Sequence, residues 1–159
     1  AGTTLVIIKD SLLGKVSRVI PSMLSYQVHI DGESMFNTPP VFAVYTSMLT
    51  LRWIDAQGGI AALGEKNAIK ATLLYGEIDR NSLFVGFANK EDRSDMNATF
   101  NLKDPNLTAA FDALCEAAGI SGLKGHRSVG GYRASMYNAL SIESVETLVN
   151  CMQILEEQQ

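Results

Sequence analysis

The sequence predicts an α+β fold: an antiparallel or mixed sheet with helices packed on one face. Two observations carry this. From about residue 57 the patterns run helix, strand, strand, helix, strand, helix, without the strict alternation that a parallel sheet needs. The helical patterns also carry apolar stripes, so each has one face to bury against a sheet. Composition agrees with a globular chain: 159 residues, 47% hydrophobic, 19% charged.

The elements follow in order. Thr3-Thr4-Leu5-Val6-Ile7-Ile8 is a β-branched run and predicts a strand. A chain that opens in mid-sheet without an initiator methionine points to a truncated or processed product. Asp10 to Gly14 predicts a helical turn closed by glycine. Residues 15–38 have weak periodicity and several turn formers, which predicts mostly loop. Pro39-Pro40 holds the preceding residues extended and suits a helix start. A strong helix follows over 40–57, with Phe42, Tyr45, Leu49 and Trp53 on one stripe and Val41, Val44, Met48 and Leu51 elsewhere. A helix apolar nearly all round is expected to be buried on several sides.

Gly58-Gly59 breaks that helix. The next, over about 59–79, carries Ile60, Leu63, Ile69, Leu73, Leu74 and Ile78, with Glu65, Lys66, Lys70 and Glu77 expected on a solvated side. Strands are expected at 83–88 and 96–102. Asp104-Pro105 starts a helix with a cap and a first-turn proline. Its stripe is Leu107, Phe111, Leu114 and Ala118, and Gly119 stops it. Residues 122–137 are glycine-rich, then strand-like. Ser141 caps a last helix bearing Ile142, Val145, Leu148, Val149, Met152 and Leu155. Glu156-Glu157 opposes the dipole there, so that end is expected to fray.

Several function classes are excluded or disfavoured. A net charge of −4 argues against a general nucleic-acid binder. No run of about 18 uncharged apolar residues suggests a membrane span, and no basic segment precedes an apolar stretch as in a signal peptide. Cys115 and Cys151, both on helical patterns, are expected to be reduced core thiols. His29 and His126 lack partners at metal-ligand spacing. No two acids show spacing for paired-carboxylate chemistry.

Three segments are candidates for chemistry. Lys124-Gly125-His126-Arg127-Ser128-Val129-Gly130-Gly131-Tyr132-Arg133-Ala134-Ser135 concentrates basic groups in an acidic chain. Its glycines let backbone N–H groups approach a ligand, and arginine matches a carboxylate or phosphate with two hydrogen bonds. In a strand, Arg133, Ser135 and Tyr137 share one face and Tyr132, Ala134 and Met136 the other. The segment reads as an anion site or as a solvated basic turn. Asn37-Thr38, just before a helix start, reads as a phosphate grip or, favoured by spacing alone, as a simple cap. Arg93-Ser94-Asp95-Met96-Asn97 reads as a charged hairpin end.

Taken together, Asn37-Thr38-Pro39-Pro40, Gly58-Gly59, Arg93 to Asn97 and Lys124 to Ala139, in this order, resemble the phosphoserine aminotransferases, pyridoxal phosphate enzymes of fold type I. The resemblance covers essentially the whole chain. It implies the small C-terminal α+β domain at 58–159, a long interdomain helix at 40–57, and the end of the large cofactor-binding domain at 1–39. It also implies cytoplasmic amino transfer in serine and pyridoxine biosynthesis by a homodimer, with phosphoserine and glutamate as substrates and pyridoxal 5′-phosphate as cofactor. Asn37 and Thr38 would bind the cofactor phosphate of the neighbouring subunit. Arg133 would bind the substrate α-carboxylate, and His126 and Arg127 the substrate phosphate or side-chain carboxylate. The Schiff-base lysine would lie just before Ala1, so this chain alone is expected to be inactive. The alternatives are a stand-alone anion-binding or interaction module, and a fragment of another fold type I aminotransferase.

Overall fold

The computed structural model describes residues 2–125 and 130–159 and divides the chain into two compact units, Ala1–Gln57 and Gly58–Gln159.

In the first unit, residues 2–9 form no strand, contrary to the sequence expectation. β-branching favours a strand only where a partner supplies the ladder hydrogen bonds, and here Leu5 and Ile7 are open to solvent. A short 3-10 turn, Asp10–Leu12, precedes Gly14 at φ +69, as predicted. The expected loop contains another such turn, Ser22–Leu24, and a short helix, α1 (Tyr26–Asp31). Helix α2 (Val41–Ala56) starts directly after the proline pair. None of its residues is buried, and Phe42 is 80% exposed. The expected burial on several sides is thus not met. An apolar surface is buried only where other elements cover it, and the first unit by itself has only short turns and α1 to offer.

The second unit holds the core. Helix α3 (Gly59–Arg80) is followed by strand β1 (Phe84–Gly86), strand β2 (Asn97–Leu102), helix α4 (Thr108–Ala117), strand β3 (Tyr132–Ser135) and helix α5 (Ile142–Glu157). The sheet has the order β1-β2-β3 and is antiparallel throughout, with Gly86 opposite Phe100 and Phe100 opposite Tyr132. Residues 123–125 line the outer edge of β3: Arg133 N donates to the Leu123 carbonyl at 2.7 Å, and Gly125 N to the Gly131 carbonyl at 2.8 Å.

Alternation sorts the sheet into two faces. Phe84, Ala98, Phe100, Tyr132, Ala134 and Met136 enter one core with Leu74 and Ile78 of α3, Phe111 of α4 and Val145, Met152 and Leu155 of α5. At its centre Phe84, Phe100, Phe111 and Tyr132 pack ring against ring, with centroids 5.0–6.5 Å apart, within the range where edge-to-face and stacked contacts add to area burial. The α+β architecture with helices on one face is therefore the one the pattern predicts. Local signals also hold. Asp104 accepts from Asn106 N at 2.9 Å ahead of Pro105, and Ser141 accepts from Ser144 N at the start of α5. Cys115 and Cys151 are free and buried.

Two expectations for charged residues fail in this unit. Lys70 and Glu77 are buried, not solvated. Glu77 accepts from Arg80 at 2.6 and 3.0 Å, from Asn81 at 2.8 Å and from Gln153 at 3.2 Å. A buried carboxylate is tolerated when such donors surround it. The end of α5 is also held: Glu156 accepts from Ser82 N and Oγ at 2.7 and 2.9 Å and pairs with Arg80 at 3.0 Å. These charge-assisted bonds outweigh the unfavourable dipole term.

Candidate functional site

The helices cover one face of the sheet, and the other face carries the polar candidates. Val85 and Phe87 project from the β1 side, Asn97, Thr99 and Asn101 from β2, and Arg133, Ser135 and Tyr137 from β3 and its continuation. Tyr132, Ala134 and Met136 are buried and Arg133 and Tyr137 are exposed, as the strand alternation predicts. Arg133 lies directly across from Thr99.

Arg133 borders two hollows. One, of about 190 Å³, is walled by Phe87, Thr99, Asn101, Gly125 and Gly130. The other, of about 340 Å³, lies towards Ser121, Ser144 and Thr147. Among the described residues Arg133 enters no ion pair, so its guanidinium keeps its fork of donors for a ligand. Gly125 and Gly130 both border the smaller hollow, and the sequence between them is His126-Arg127-Ser128-Val129. The predicted roles of His126 and Arg127 fall outside the described residues.

Glycine is required at this margin by contact. A Cβ on Gly125 would collide with the Gly130 carbonyl. One on Gly131, where φ is +65, would overlap Asn101 Oδ1 and lie 2.9 Å from the Phe100 carbonyl. Lys124 pairs with Asp112 at 3.0 Å. Asp112 also accepts from the Tyr132 hydroxyl at 3.0 Å. Burial first, then the Asp112 carboxylate, raises the Tyr132 pKa, so that phenol remains a donor.

The segment Arg93 to Asn97 is built as a clamp. Arg93 binds both Asp79 oxygens, at 2.9 and 2.7 Å, and its guanidinium carbon sits 4.5 Å from the Tyr75 ring centroid. Gly86 makes room, since a Cβ there would meet Arg93 Nη2 at 2.9 Å. The hydrogen bonds from Arg93 hold the Asp79 carboxyl down at about 2, against its partial burial. Tyr137 OH donates to Asn97 Oδ1 at 3.3 Å, which ties this clamp to the open face. Spacing alone does not announce the clamp; a glycine within a strand pattern is its one available sign.

In the first unit Asn37 and Thr38 are exposed just before α2. Neither caps the helix by a side-chain bond. Asn37 Nδ2 donates instead to the Thr38 carbonyl at 3.2 Å. The predicted cap is thus not made, and the first N–H groups of α2 keep the free, electropositive end that suits a phosphate.

These features can now be set beside known proteins. The aminotransferase class-V family matches residues 1–148. The chain belongs to the class-V aminotransferase family. It is 66% identical over 156 residues to the phosphoserine aminotransferase of Flavobacterium johnsoniae, which covers 98% of this chain and 44% of that protein. It is 56% identical over 159 residues to the phosphoserine aminotransferase of Bacteroides fragilis, over 99% of this chain and 45% of that protein. Among solved structures, a phosphoserine aminotransferase studied for radiation damage of its Schiff base superposes with a TM-score of 0.86 at 42% identity, covering 96% of this chain and 42% of that one. The pyridoxal phosphate-bound phosphoserine aminotransferase of Trichomonas vaginalis superposes at 0.77 with 39% identity, over 87% of this chain and 40% of that one. This class-V aminotransferase chain thus spans less than half the length of the curated relatives it matches. No helix among the described residues is long and apolar enough to cross a membrane.

Proposed function

We propose that this chain is the C-terminal part of a phosphoserine aminotransferase, which moves an amino group between phosphoserine and 2-oxoglutarate in serine biosynthesis. Residues 58–159 form the small domain, 40–57 the connecting helix, and 1–39 the end of the large domain. The observation that carries the reading is Arg133: a guanidinium with no ion pair among the described residues, on the open face of the sheet, across from Thr99 and beside a glycine-walled hollow. A planar fork in that setting suits the α-carboxylate of an amino acid. His126 and Arg127 supply positive charge for the second anion, the phosphate of phosphoserine or the side-chain carboxylate of glutamate. A substrate anionic at both ends needs two such positions.

Pyridoxal phosphate would supply the electron sink for the transfer. The chain fits the phosphate end of that group: the Asn37 amide, the Thr38 hydroxyl and the free N–H groups of α2 suit a dianion. In this reading they serve the neighbouring subunit of a homodimer in the cytoplasm. No such fit exists for a covalent anchor among the lysines nearest the substrate residues. Lys70 is consumed by main-chain carbonyls, and Lys124 pairs with Asp112. The isolated chain is therefore inactive in this reading.

The test uses the full-length enzyme. Arg133→Lys keeps the charge but loses the fork, and KM for glutamate is expected to rise at least about 10-fold with kcat changed far less. An unchanged KM, or turnover without preference for the phosphorylated substrate, defeats the assignment. For the isolated chain, an aldimine absorbance band on adding pyridoxal phosphate that disappears with a single lysine substitution would sink the claim of inactivity.

A further inference from the structure

Lys70 lies midway along α3 and is 2% exposed. No carboxylate pairs with it among the described residues. Its ammonium donates instead to three main-chain carbonyls, those of Met136 at 2.9 Å, Tyr137 at 3.0 Å and Leu140 at 3.0 Å. An ammonium has three protons, and each finds one acceptor. Burial lowers the Lys70 pKa, while the three carbonyls favour the charged form. On the same face of the helix, Asn67 Nδ2 donates to Asn138 Oδ1 at 2.8 Å. Two side chains of α3 therefore grip the whole turn that joins β3 to α5.

That turn bears directly on the open face. It is the continuation of β3, and Arg133 lies three residues before Met136. Met136 N donates to the Met96 carbonyl at 2.8 Å, and the Tyr137 hydroxyl reaches Asn97. Without the ammonium, the Met136 and Leu140 carbonyls would lose their donor and the Tyr137 carbonyl would keep only Leu140 N, at 2.8 Å, and a buried unpaired acceptor costs more than a bond is worth. The turn would have to open to water and take the end of β3 with it. We propose that Lys70 is a positioning residue for Arg133: its buried ammonium fixes the 136–140 turn, and through it the register and direction from which the guanidinium meets a substrate carboxylate. The proposal rests on the carboxylate-binding reading of Arg133 given above.

The experiment uses the full-length enzyme with three substitutions. Lys70→Met removes the charge at similar length. Lys70→Ala opens a carbonyl-lined space that ethylammonium can enter. Arg133→Lys serves as the reference for a direct loss of substrate binding. Deuterium uptake across 132–140, KM for glutamate and kcat are measured for each. Both Lys70 variants are expected to speed exchange at 136–140 by about 10-fold or more and to raise KM about 10-fold with kcat within about 2-fold. In Lys70→Ala, ethylammonium restores both readouts and tetramethylammonium at equal ionic strength does not. Arg133→Lys raises KM without touching exchange at 136–140. Lys70→Met decides the matter where Lys70→Ala does not fold. Wild-type exchange in the Lys70 variants, or faster exchange with unchanged KM, overturns the proposal alone. An unchanged KM in Arg133→Lys overturns the carboxylate reading and the proposal with it.

Discussion

Gly131→Ala is expected to cost far more than an alanine at another left-handed glycine, and the structure gives the reason in two parts. Gly131 has φ +65, where an L-residue pays about 1–2 kcal/mol. The added Cβ would also overlap Asn101 Oδ1 and sit 2.9 Å from the Phe100 carbonyl. The Asn101 side chain can swing aside. The Phe100 carbonyl cannot, because β2 is the central strand and is held on both sides by β1 and β3. Overpacking against fixed backbone costs about 1–3 kcal/mol. Alanine recovers only about 0.4–1 kcal/mol by restricting the unfolded chain. The net loss is thus about 1–5 kcal/mol. Gly122 is the internal control, with φ +73 and no atom within 4 Å of the place an added methyl would occupy. Its alanine variant bears the conformational cost without the clash. Urea titration of both variants measures the difference, with equal slopes and separate midpoints expected. If Gly131→Ala and Gly122→Ala lose the same stability, the collision with β2 plays no part and the reasoning is refuted.

Other consequences can be checked on the same chain. Burial raises the Glu77 pKa, but bonds from Arg80, Asn81 and Gln153 more than offset it, so the folded value lies below the ordinary one. Its stabilisation is therefore present above the unfolded carboxylate pKa of about 4.3 and is lost as pH falls through the lower folded value. Glu77→Gln should cost about 1–3 kcal/mol at neutral pH and flatten the acid limb of the stability curve, and an unchanged limb would exclude this residue as its source. Phe111→Ala removes a fully buried ring from the aromatic centre and should cost about 3–5 kcal/mol by thermal or urea unfolding, whereas a loss below about 1 kcal/mol would mean that the centre collapses around the gap. Burial, then the neighbouring Cys151, pushes the Cys115 thiol up to about 12, and burial raises Cys151 as well. Both thiols should resist an aromatic disulfide reagent in the native chain and react promptly in denaturant, and fast native labelling would contradict their placement.

How much is legible in the sequence depends on how local the deciding interaction is. The Ser141 cap, the Asp104-Pro105 start and the alternation through β3 depend on neighbours within a few residues, and all three hold. The strand expected at 3–8 needs a partner that propensity cannot provide. Helix α1 has no periodic apolar signal long enough to announce it. Lys70 and Glu77 depart from expectation for another reason. Asn67, Lys70, Ala71, Leu74 and Ile78 follow one helical stripe, so the position of Lys70 on the buried face is legible. Its charge argues for solvent, and only the three carbonyls of a distant turn reverse that argument. The candidate site shows the same division. Arg133 on the open face is legible from the period of two, but its partner across the sheet, Thr99, depends on a pairing between segments far apart in sequence.

That pairing has a functional edge. Because successive strand residues alternate faces, a slip of one residue between β2 and β3 would turn Arg133 into the aromatic core and Tyr132 out to solvent. Within the described residues, long-range ties oppose the slip: Tyr132 to Asp112, Met136 N to the Met96 carbonyl, the Tyr137 hydroxyl to Asn97, and Asn67 and the Lys70 ammonium to the turn beyond. All but the first lie at or beyond the C-terminal end of a strand only four residues long. A strand this short gains little register from its own ladder. The side chains that pin its end therefore decide which face presents the guanidinium, and on the proposed carboxylate-binding role of Arg133 a lysine buried in α3 becomes as consequential for anion recognition as the residues lining the hollow.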